Sequence, residues 1–264
     1  MNPTPQESLK MALYAEWGRR KTEQLGRLIE HVGMENVVIV SCDDGLGTIK
    51  SIVDYSRVIS VYNWDGMRAA YKTATDLVGG QSDKWTLVDG ATSLLLEHVN
   101  SLFAATEEAY DYRARKQQIP DHLITASRYL NKNDQVDGMA IYGRVGRDLT
   151  RLFQTWKALG TNLVFTFLEE LTGITDKREK TYPFGPAIPG NLGYRAAMST
   201  FDFVVRLWYA ADGSLMGGTK ATAMYEARTR EDRRIGTNIP PVIKDFDLVE
   251  YINLINNVKE AAAK

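Results

Sequence analysis

The chain has 264 residues, of which 44% are hydrophobic and 25% are charged. This apolar content is enough for one sizeable core, so we expect a single domain spanning residues 1–264. The formal net charge of −1 excludes a protein that binds polyanions over its whole surface, and any nucleic-acid contact must use a local basic patch. The single cysteine, Cys42, excludes an intrachain disulfide framework.

The sequence carries no pattern of secretion, of membrane insertion or of zinc binding. Residues 1–8 are polar and contain proline, and they lack the apolar segment of a signal peptide. No uncharged apolar run reaches the length of a membrane span. The histidines His31, His98 and His122 lie far apart and, with one cysteine, do not give the spacing of a zinc site. We therefore expect a cytoplasmic protein with no membrane partner.

Short apolar runs alternate with amphipathic helical patterns along most of the chain. In chain order, the patterns predict strand Met11–Tyr14, helix Thr22–Val32, strand Val37–Val40, strand Val58–Val61, helix Trp64–Leu77, strand Trp85–Val88, helix Ser93–Tyr112, a polar excursion over 113–138, helix Val145–Leu159, strand Leu163–Phe167, a long loop over 171–193, strands Phe203–Tyr209 and Ala221–Ala227, and helix Leu248–Val258. This alternation predicts an α/β fold with a mostly parallel sheet, helices on both faces and an antiparallel far edge.

The turn after the first predicted strand resembles a phosphate-binding P-loop, whose template is G-x-x-x-x-G-K-[ST]. The segment Ala15–Thr22 follows a strand and opens a helix, as the motif requires, and Lys21 and Thr22 match it. Ala15 and Arg20 replace the two defining glycines. The residues predicted to bind phosphate are Trp17, Gly18, Arg19, Arg20, Lys21 and Thr22. The alternative is an ordinary strand–helix turn with a cationic first helical turn.

Arg20 is the more serious departure from the template. A residue with a Cβ that must adopt a positive φ costs roughly 1 kcal/mol, and the Cβ would crowd the phosphates. A guanidinium close to a triphosphate is, however, electrostatically favourable. The substitution is therefore expected to impair hydrolysis more than nucleotide binding.

Acidic and polar residues follow the other predicted strands. Asp89 ends an apolar strand and would hold Mg²⁺ together with Thr22. Asp44, in the turn after the second strand, would polarise an attacking water. An Asx-rich turn is an equally good explanation of that acidic pair, Asp43 and Asp44. Thr166 would sense the terminal phosphate, or serve only as a strand residue.

The order of these segments resembles the RecA-like ATPases of the AAA type that many phages encode, a family associated with single-strand annealing and recombination. The matching stretches are Leu13–Thr22, Val37–Gly45, Trp85–Leu94, Tyr142–Phe167, Phe201–Leu207 and Arg228–Pro240. The resemblance implies that ATP and Mg²⁺ bind between subunits of a homo-oligomeric ring or filament. It further implies that Lys21 and Thr22 contact phosphate and Mg²⁺, that Asp89 is the acidic partner, and that Asp44 lies near the attacking water. Arg228 and Arg230 would reach a neighbouring subunit's nucleotide.

The same resemblance implies single-stranded DNA as a partner and, for a phage-encoded chain, the host cytoplasm as the location. The segment with Lys177, Arg178, Lys180 and Tyr182 interleaves cations with an aromatic ring, as DNA-contacting loops do. A second such segment is 110–116, and solvated surface charge is the alternative for both.

Three hypotheses about function remain open. The first is an ATP-dependent recombination-associated ATPase. The second is a nucleotide-binding paralogue that does not hydrolyse ATP and acts as a scaffold or DNA-binding subunit. The third is another α/β enzyme whose turn happens to end in Lys-Thr.

Overall fold

The computed structural model describes residues 8–175, 181–229 and 239–263. The strands are β1 Lys10–Ala15, β2 Val37–Ser41, β3 Val58–Ser60, β4 Trp85–Asp89, β5 Asn162–Thr175, β6 Thr181–Pro186, β7 Phe203–Tyr209, β8 Leu215–Gly218, β9 Arg228–Thr229 and β10 Val242–Lys244. The α-helices are α1 Lys21–Val32, α2 Trp64–Val78, α3 Ala91–Ala114, α4 Gly138–Lys157, α5 Asn191–Thr200 and α6 Leu248–Ala263. Short 3₁₀ helices lie at Met34–Asn36, Gly45–Ile49, Tyr55–Arg57, Asp121–Leu123 and Ala126–Tyr129.

The sheet is mostly parallel. Its strand order is β10-β8-β7-β1-β5-β4-β2-β3, and every neighbouring pair from β7 to β3 is parallel. At the other end of the sheet, β8 pairs with β7 in antiparallel fashion, and β10 pairs with β8 in the same way. This arrangement confirms the predicted α/β class and its antiparallel far edge. The parallel strands end on one edge of the sheet, which we call the carboxyl edge.

Hydrophobic side chains on the two faces of the sheet form two cores. Along β2, Val38 and Val40 pack into one cluster and Val37 and Ile39 into the other. The first cluster is covered by α2, α3, α4 and α5, and the second by α1 and α6. Strands buried on both faces need continuous apolar runs, which is why their sequences show no polar alternation. Each large side chain buried this way contributes roughly 1.5–3 kcal/mol.

Helices α2 and α4 each begin with a conventional cap, whereas α1 does not. The Asn63 side chain accepts a hydrogen bond from the Gly66 N–H at 2.9 Å at the start of α2, and Asp137 accepts one from the Ala140 N–H at 3.1 Å at the start of α4. Such caps stabilise a helix by about 1 kcal/mol. The residue before α1 is Arg20, which has no capping side-chain bond and a left-handed backbone.

The prediction of a long loop over 171–193 was wrong. Strand β5 continues to Thr175, pairs with the antiparallel strand β6, and α5 begins at Asn191. This hairpin projects beyond the main sheet, where cross-strand pairs such as Leu171 with Phe184 replace core burial. Its sequence therefore lacks the continuous apolar run that marks the other strands.

The predicted strand Ala221–Ala227 was also wrong. That segment has one isolated bridge, at Tyr225, and the strands β8 and β9 lie on either side of it. Strand β8 contains two adjacent glycines, Gly217 and Gly218. They allow close packing, because a Cβ at Gly217 would approach Phe246 to 2.1 Å and one at Gly218 would approach Tyr225 to 2.6 Å.

Candidate phosphate-binding cleft

A cleft of about 450 Å³ opens at the carboxyl edge, where the loop after β1 meets the ends of β2, β4 and β5. That volume lies within the range of small-molecule sites. The lining residues are Trp17, Gly18, Arg19, Arg20, Lys21, Thr22, Glu23, Asp43, Gly45, Thr48, Asp89, Gly90, Thr92, Ser93, Thr166, Phe167 and Leu168. All six residues predicted to bind phosphate are in this set, together with Asp89.

The strand register brings distant polar residues together at the base of the cleft. Thr22 donates from Oγ1 to Asp89 Oδ2 at 2.9 Å, and Thr166 donates from Oγ1 to the other carboxylate oxygen at 2.5 Å. The Gly90 N–H donates to Thr166 Oγ1 at 2.9 Å. A connected cluster of hydroxyl and carboxylate oxygens thus lies beside the first turn of α1.

Asp89 is only 2% exposed. Burial raises the pKa of Asp89, while the hydrogen bonds from Thr166 and Thr22 oppose that rise. A buried carboxylate needs compensation, and a divalent cation beside Thr22 would supply it. The available donors, carboxylate and hydroxyl oxygens, are the hard ligands that Mg²⁺ prefers.

The protein alone offers few ligands to a metal at this point. Within the part of the chain that the structure describes, no group of three His, Cys, Asp or Glu side chains is placed to hold a metal ion. Mg²⁺ commonly binds through one or two protein ligands, with substrate phosphates and water completing the octahedron. The Thr22 and Asp89 pair therefore fits a Mg²⁺ ion that arrives with a phosphate ligand.

The Lys21 side chain folds back over the loop. Its Nζ donates to the carbonyl oxygens of Ala15 at 3.1 Å and Glu16 at 3.0 Å. Burial lowers the pKa of Lys21 to about 8, although the carboxylates of Asp89 and Asp43 oppose the shift. A partly desolvated ammonium that donates to two carbonyl oxygens is well suited to bind an anion.

Arg20 adopts the left-handed backbone that the template assigns to glycine, with φ 57° and ψ 23°. Its guanidinium lies 3.3 Å from the Glu23 carboxylate and 5.9 Å from the centre of the Tyr209 ring. The neighbouring Arg19 guanidinium lies 5.3 Å from the same ring. The sequence-based expectation about the Arg20 backbone is therefore confirmed.

Two adjacent acids after β2 occupy different positions. Asp43 lines the cleft, and its Oδ1 accepts a hydrogen bond from the Gly45 N–H at 2.9 Å. Asp44, the residue predicted to polarise water, is exposed and is not among the residues that line the cleft. The sequence indicated the Asp43–Gly45 turn. Which of the two neighbouring acids faces the cleft, however, depends on the direction in which the turn closes.

Of the remaining predicted site residues, Arg228 is described by the structure and does not line this cleft. Arg228 lies on β9 opposite Val204, near the start of β7 and thus far from the carboxyl edge, and donates to the Met198 carbonyl oxygen. Arg230 lies outside the described residues. The same is true of three predicted DNA contacts, Lys177, Arg178 and Lys180, and of the side chain of Tyr182 on β6.

A buried ion pair next to the cleft was missed by the sequence analysis. Arg206 Nε and Nη2 donate to the two oxygens of Glu169 at 2.6 and 2.9 Å. The guanidinium also lies within 6 Å of the rings of Phe184, Trp208 and Tyr225. A lone arginine inside the apolar strand Phe203–Tyr209 was the available signal, because a charge in such a strand requires a partner.

No protein-family model matches the chain, and no curated protein matches it in sequence. None of the helices in the described ranges combines the length and the apolar character needed to cross a membrane.

Proposed function

We propose that this cleft binds a nucleoside triphosphate with Mg²⁺ in a RecA-like P-loop arrangement. The observation that carries the proposal is the 2.9 Å hydrogen bond between Thr22 and Asp89, which are 67 residues apart in sequence, beside Lys21 at the start of α1. The family resemblance makes ATP the expected nucleotide, and ATP hydrolysis the expected reaction.

Each residue of the cleft has a distinct role in this proposal. The Lys21 ammonium exchanges its loop carbonyl oxygens for phosphate oxygens, and the first backbone N–H groups of α1 point towards the same anion. Thr22 and Asp89 hold Mg²⁺, which offsets phosphate charge when it is bound. Asp43, which lines the cleft, orients the attacking water in this proposal, a role that the sequence analysis gave to Asp44.

Thermal unfolding with and without Mg-ATP tests the proposal directly. A ligand that binds only the folded state, at a concentration one hundred times its Kd, adds about 2.7 kcal/mol to the free energy of unfolding. We expect a stabilisation of that size with Mg-ATP and a smaller one with ATP and excess EDTA. An unfolding transition that does not respond to ATP at millimolar concentration contradicts the proposal.

The affinity for ATP is expected to fall as the pH rises above 8. The pKa of Lys21 is about 8 without nucleotide, so its ammonium is mostly charged at pH 7 and mostly neutral at pH 9. Phosphate binding favours the charged form, and the nucleotide itself stays at least about nine-tenths ionised in this range because the second phosphate pKa is near 6. Calorimetric titrations should show roughly a tenfold weaker affinity at pH 9 than at pH 7, with proton uptake on binding.

Lys10 provides the control for this titration. Burial lowers its pKa to about 8 as well, but it lies at the start of β1, away from the carboxyl edge. A Lys10→Met variant should keep the same proton uptake on ATP binding. Affinity that does not change between pH 7 and pH 9 would show that the Lys21 charge is not used.

A methyl group at Gly45 is expected to impair Mg²⁺-dependent nucleotide binding. A Cβ at this position would approach Asp43 Oδ1 to 2.8 Å, Asp89 Oδ2 to 3.3 Å and Thr22 Oγ1 to 3.5 Å, so it would crowd the oxygens assigned to the metal ion and to the attacking water. A Cβ at Gly47 would have no neighbour within 4 Å. We expect Gly45→Ala to weaken Mg-ATP binding about tenfold and Gly47→Ala to leave it unchanged, and equal affinities would argue against the metal position.

The left-handed backbone of Arg20 favours a second candidate function, in which the chain binds ATP but does not hydrolyse it. A Cβ at the N-terminus of α1 keeps the phosphates from the closest approach to the backbone that glycine permits. Such a protein would act as a scaffold or DNA-binding subunit. Nucleotide binding is common to both candidates, and turnover separates them.

Assembly and DNA contact are a further part of the proposal that depends on the resemblance. We propose that subunits form a ring or filament, that Arg228 and Arg230 act on a neighbour's nucleotide, and that Lys177, Arg178 and Lys180 track single-stranded DNA. A ring or filament would present several of these basic segments to one DNA strand, which would offset the low net charge of each subunit. Charge removal at 177–180 should then weaken DNA binding and flatten its salt dependence, and an unchanged titration would contradict the DNA contact.

A further inference from the structure

A second, smaller cavity of about 160 Å³ lies between α2 and α4 and shares no residue with the phosphate-binding cleft. It is lined by Trp64, Met67, Arg68, Tyr71, Asp148, Arg151, Leu152, Thr155 and Trp156. The helices that form it cover the sheet face opposite α1. Its composition, three aromatic rings with two arginines, is that of a binding site for a planar anion.

The aromatic walls of the cavity are held in place by their neighbours. The Trp64 indole stacks on the imidazole of His98, with ring centres 4.0 Å apart and an angle of 12°. Tyr71 and Trp156 meet edge to face, with ring centres 5.4 Å apart. Fixed rings lose little conformational entropy when a planar ligand packs against them.

The acidic group of the cavity is already neutralised. Asp148 is 6% exposed and accepts a hydrogen bond from Arg144 Nε at 2.7 Å, with His98 Nε2 at 3.2 Å from the same carboxylate oxygen. It therefore presents little net negative charge to a ligand.

The two arginines of the cavity, by contrast, are exposed, and neither Arg68 nor Arg151 has an ion pair or hydrogen bond with any other described residue. Their guanidinium groups are free to bind a phosphate in bidentate fashion.

The size of the cavity limits the ring that it can take. A cavity of about 150 Å³ in another protein holds one benzene molecule, so 160 Å³ suits a single six-membered ring better than a fused purine. The hydroxyl of Thr155 gives the ring edge a hydrogen-bonding partner. We propose that this cavity binds a pyrimidine nucleotide, with the base among the aromatic rings and the phosphate on Arg68 and Arg151.

A free pyrimidine nucleotide and one unit of a single DNA strand share this chemistry. Equilibrium dialysis with thymidine 5′-monophosphate measures the free form, and a thymidine decanucleotide measures the strand. Thymidine without phosphate and deoxyadenosine 5′-monophosphate should each bind at least tenfold more weakly than thymidine monophosphate. A decanucleotide affinity per site at least tenfold above that of the mononucleotide would identify the strand as the source, and a lower ratio would identify the free nucleotide.

Substitutions of exposed arginines test the site without disturbing the core. We expect Arg68→Ala and Arg151→Ala each to weaken binding of thymidine monophosphate about tenfold. Arg147→Ala, an exposed change one helical turn before Arg151 and outside the cavity, should leave binding within twofold. Lys21→Ala should have no effect, which keeps this inference independent of the phosphate-binding cleft.

The inference is overturned if the wild-type protein does not bind thymidine monophosphate at 10 mM. It is also overturned if Arg68→Ala and Arg151→Ala bind it as well as Arg147→Ala does, or if thymidine and its monophosphate bind equally. Loss of binding in Lys21→Ala alone would place the nucleotide in the phosphate-binding cleft and would likewise refute the second site.

Discussion

Replacing Lys21 with alanine is expected to weaken ATP binding at least tenfold and to abolish most of the stabilisation by Mg-ATP. The Lys21 ammonium donates hydrogen bonds to the carbonyl oxygens of Ala15 and Glu16, in the loop that precedes α1. Charge-assisted bonds to phosphate are about twice as strong as neutral ones. Thermal unfolding of wild type and variant over a range of ATP concentrations measures the effect.

The variant should remain folded without nucleotide. Because burial lowers the pKa of Lys21, its charge costs free energy in the empty protein, so alanine is expected to leave the unfolding temperature unchanged or to raise it. Lys72→Ala removes an exposed lysine on α2 and serves as the matched control for net charge. If Lys21→Ala binds ATP as tightly as Lys72→Ala does, the assignment of the phosphate loop is wrong.

The parts of the cleft that the sequence predicted are those that depend on local order along the chain. Lys21 and Thr22 follow a buried strand and open a helix, and Asp89 ends another buried strand. Parallel strands end at one edge of the sheet, so these residues were expected to lie at the same edge if the strands were parallel. The contact of Thr22 with Asp89 follows from that logic.

The parts that the sequence did not predict depend on contacts between distant segments. The Glu169–Arg206 ion pair joins β5 to β7, across β1. No local pattern specifies which carboxylate an isolated arginine will find. The hairpin of β5 and β6 is stabilised by cross-strand pairs. The orientation of Asp43 is set by the closure of one turn. Neither feature leaves a hydrophobic periodicity in the sequence.

Replacing Arg20 with glycine is expected to raise ATP turnover at least tenfold, which corresponds to about 1.4 kcal/mol of barrier. Arg20 holds the left-handed conformation at the start of α1, where its Cβ would stand between the backbone and the phosphates of the proposed nucleotide. Glycine keeps the same backbone without a side chain. It relieves roughly 1–2 kcal/mol of left-handed strain and loses roughly 0.5–1 kcal/mol to chain entropy, so the free energy of unfolding should rise by no more than about 1.5 kcal/mol.

The Arg20→Ala variant distinguishes the effect of the guanidinium from the effect of the Cβ. Alanine removes the guanidinium, with its contacts to Glu23 and Tyr209, but keeps the Cβ. If the Cβ limits turnover, the alanine variant stays as slow as wild type and only the glycine variant gains, whereas equal gains would identify the guanidinium as the cause. Steady-state phosphate release measures all three proteins. A wild-type rate on the order of 10 s⁻¹, typical of ordinary enzymes, would show that Arg20 is no handicap, and the chain would then be an active ATPase in spite of its loop.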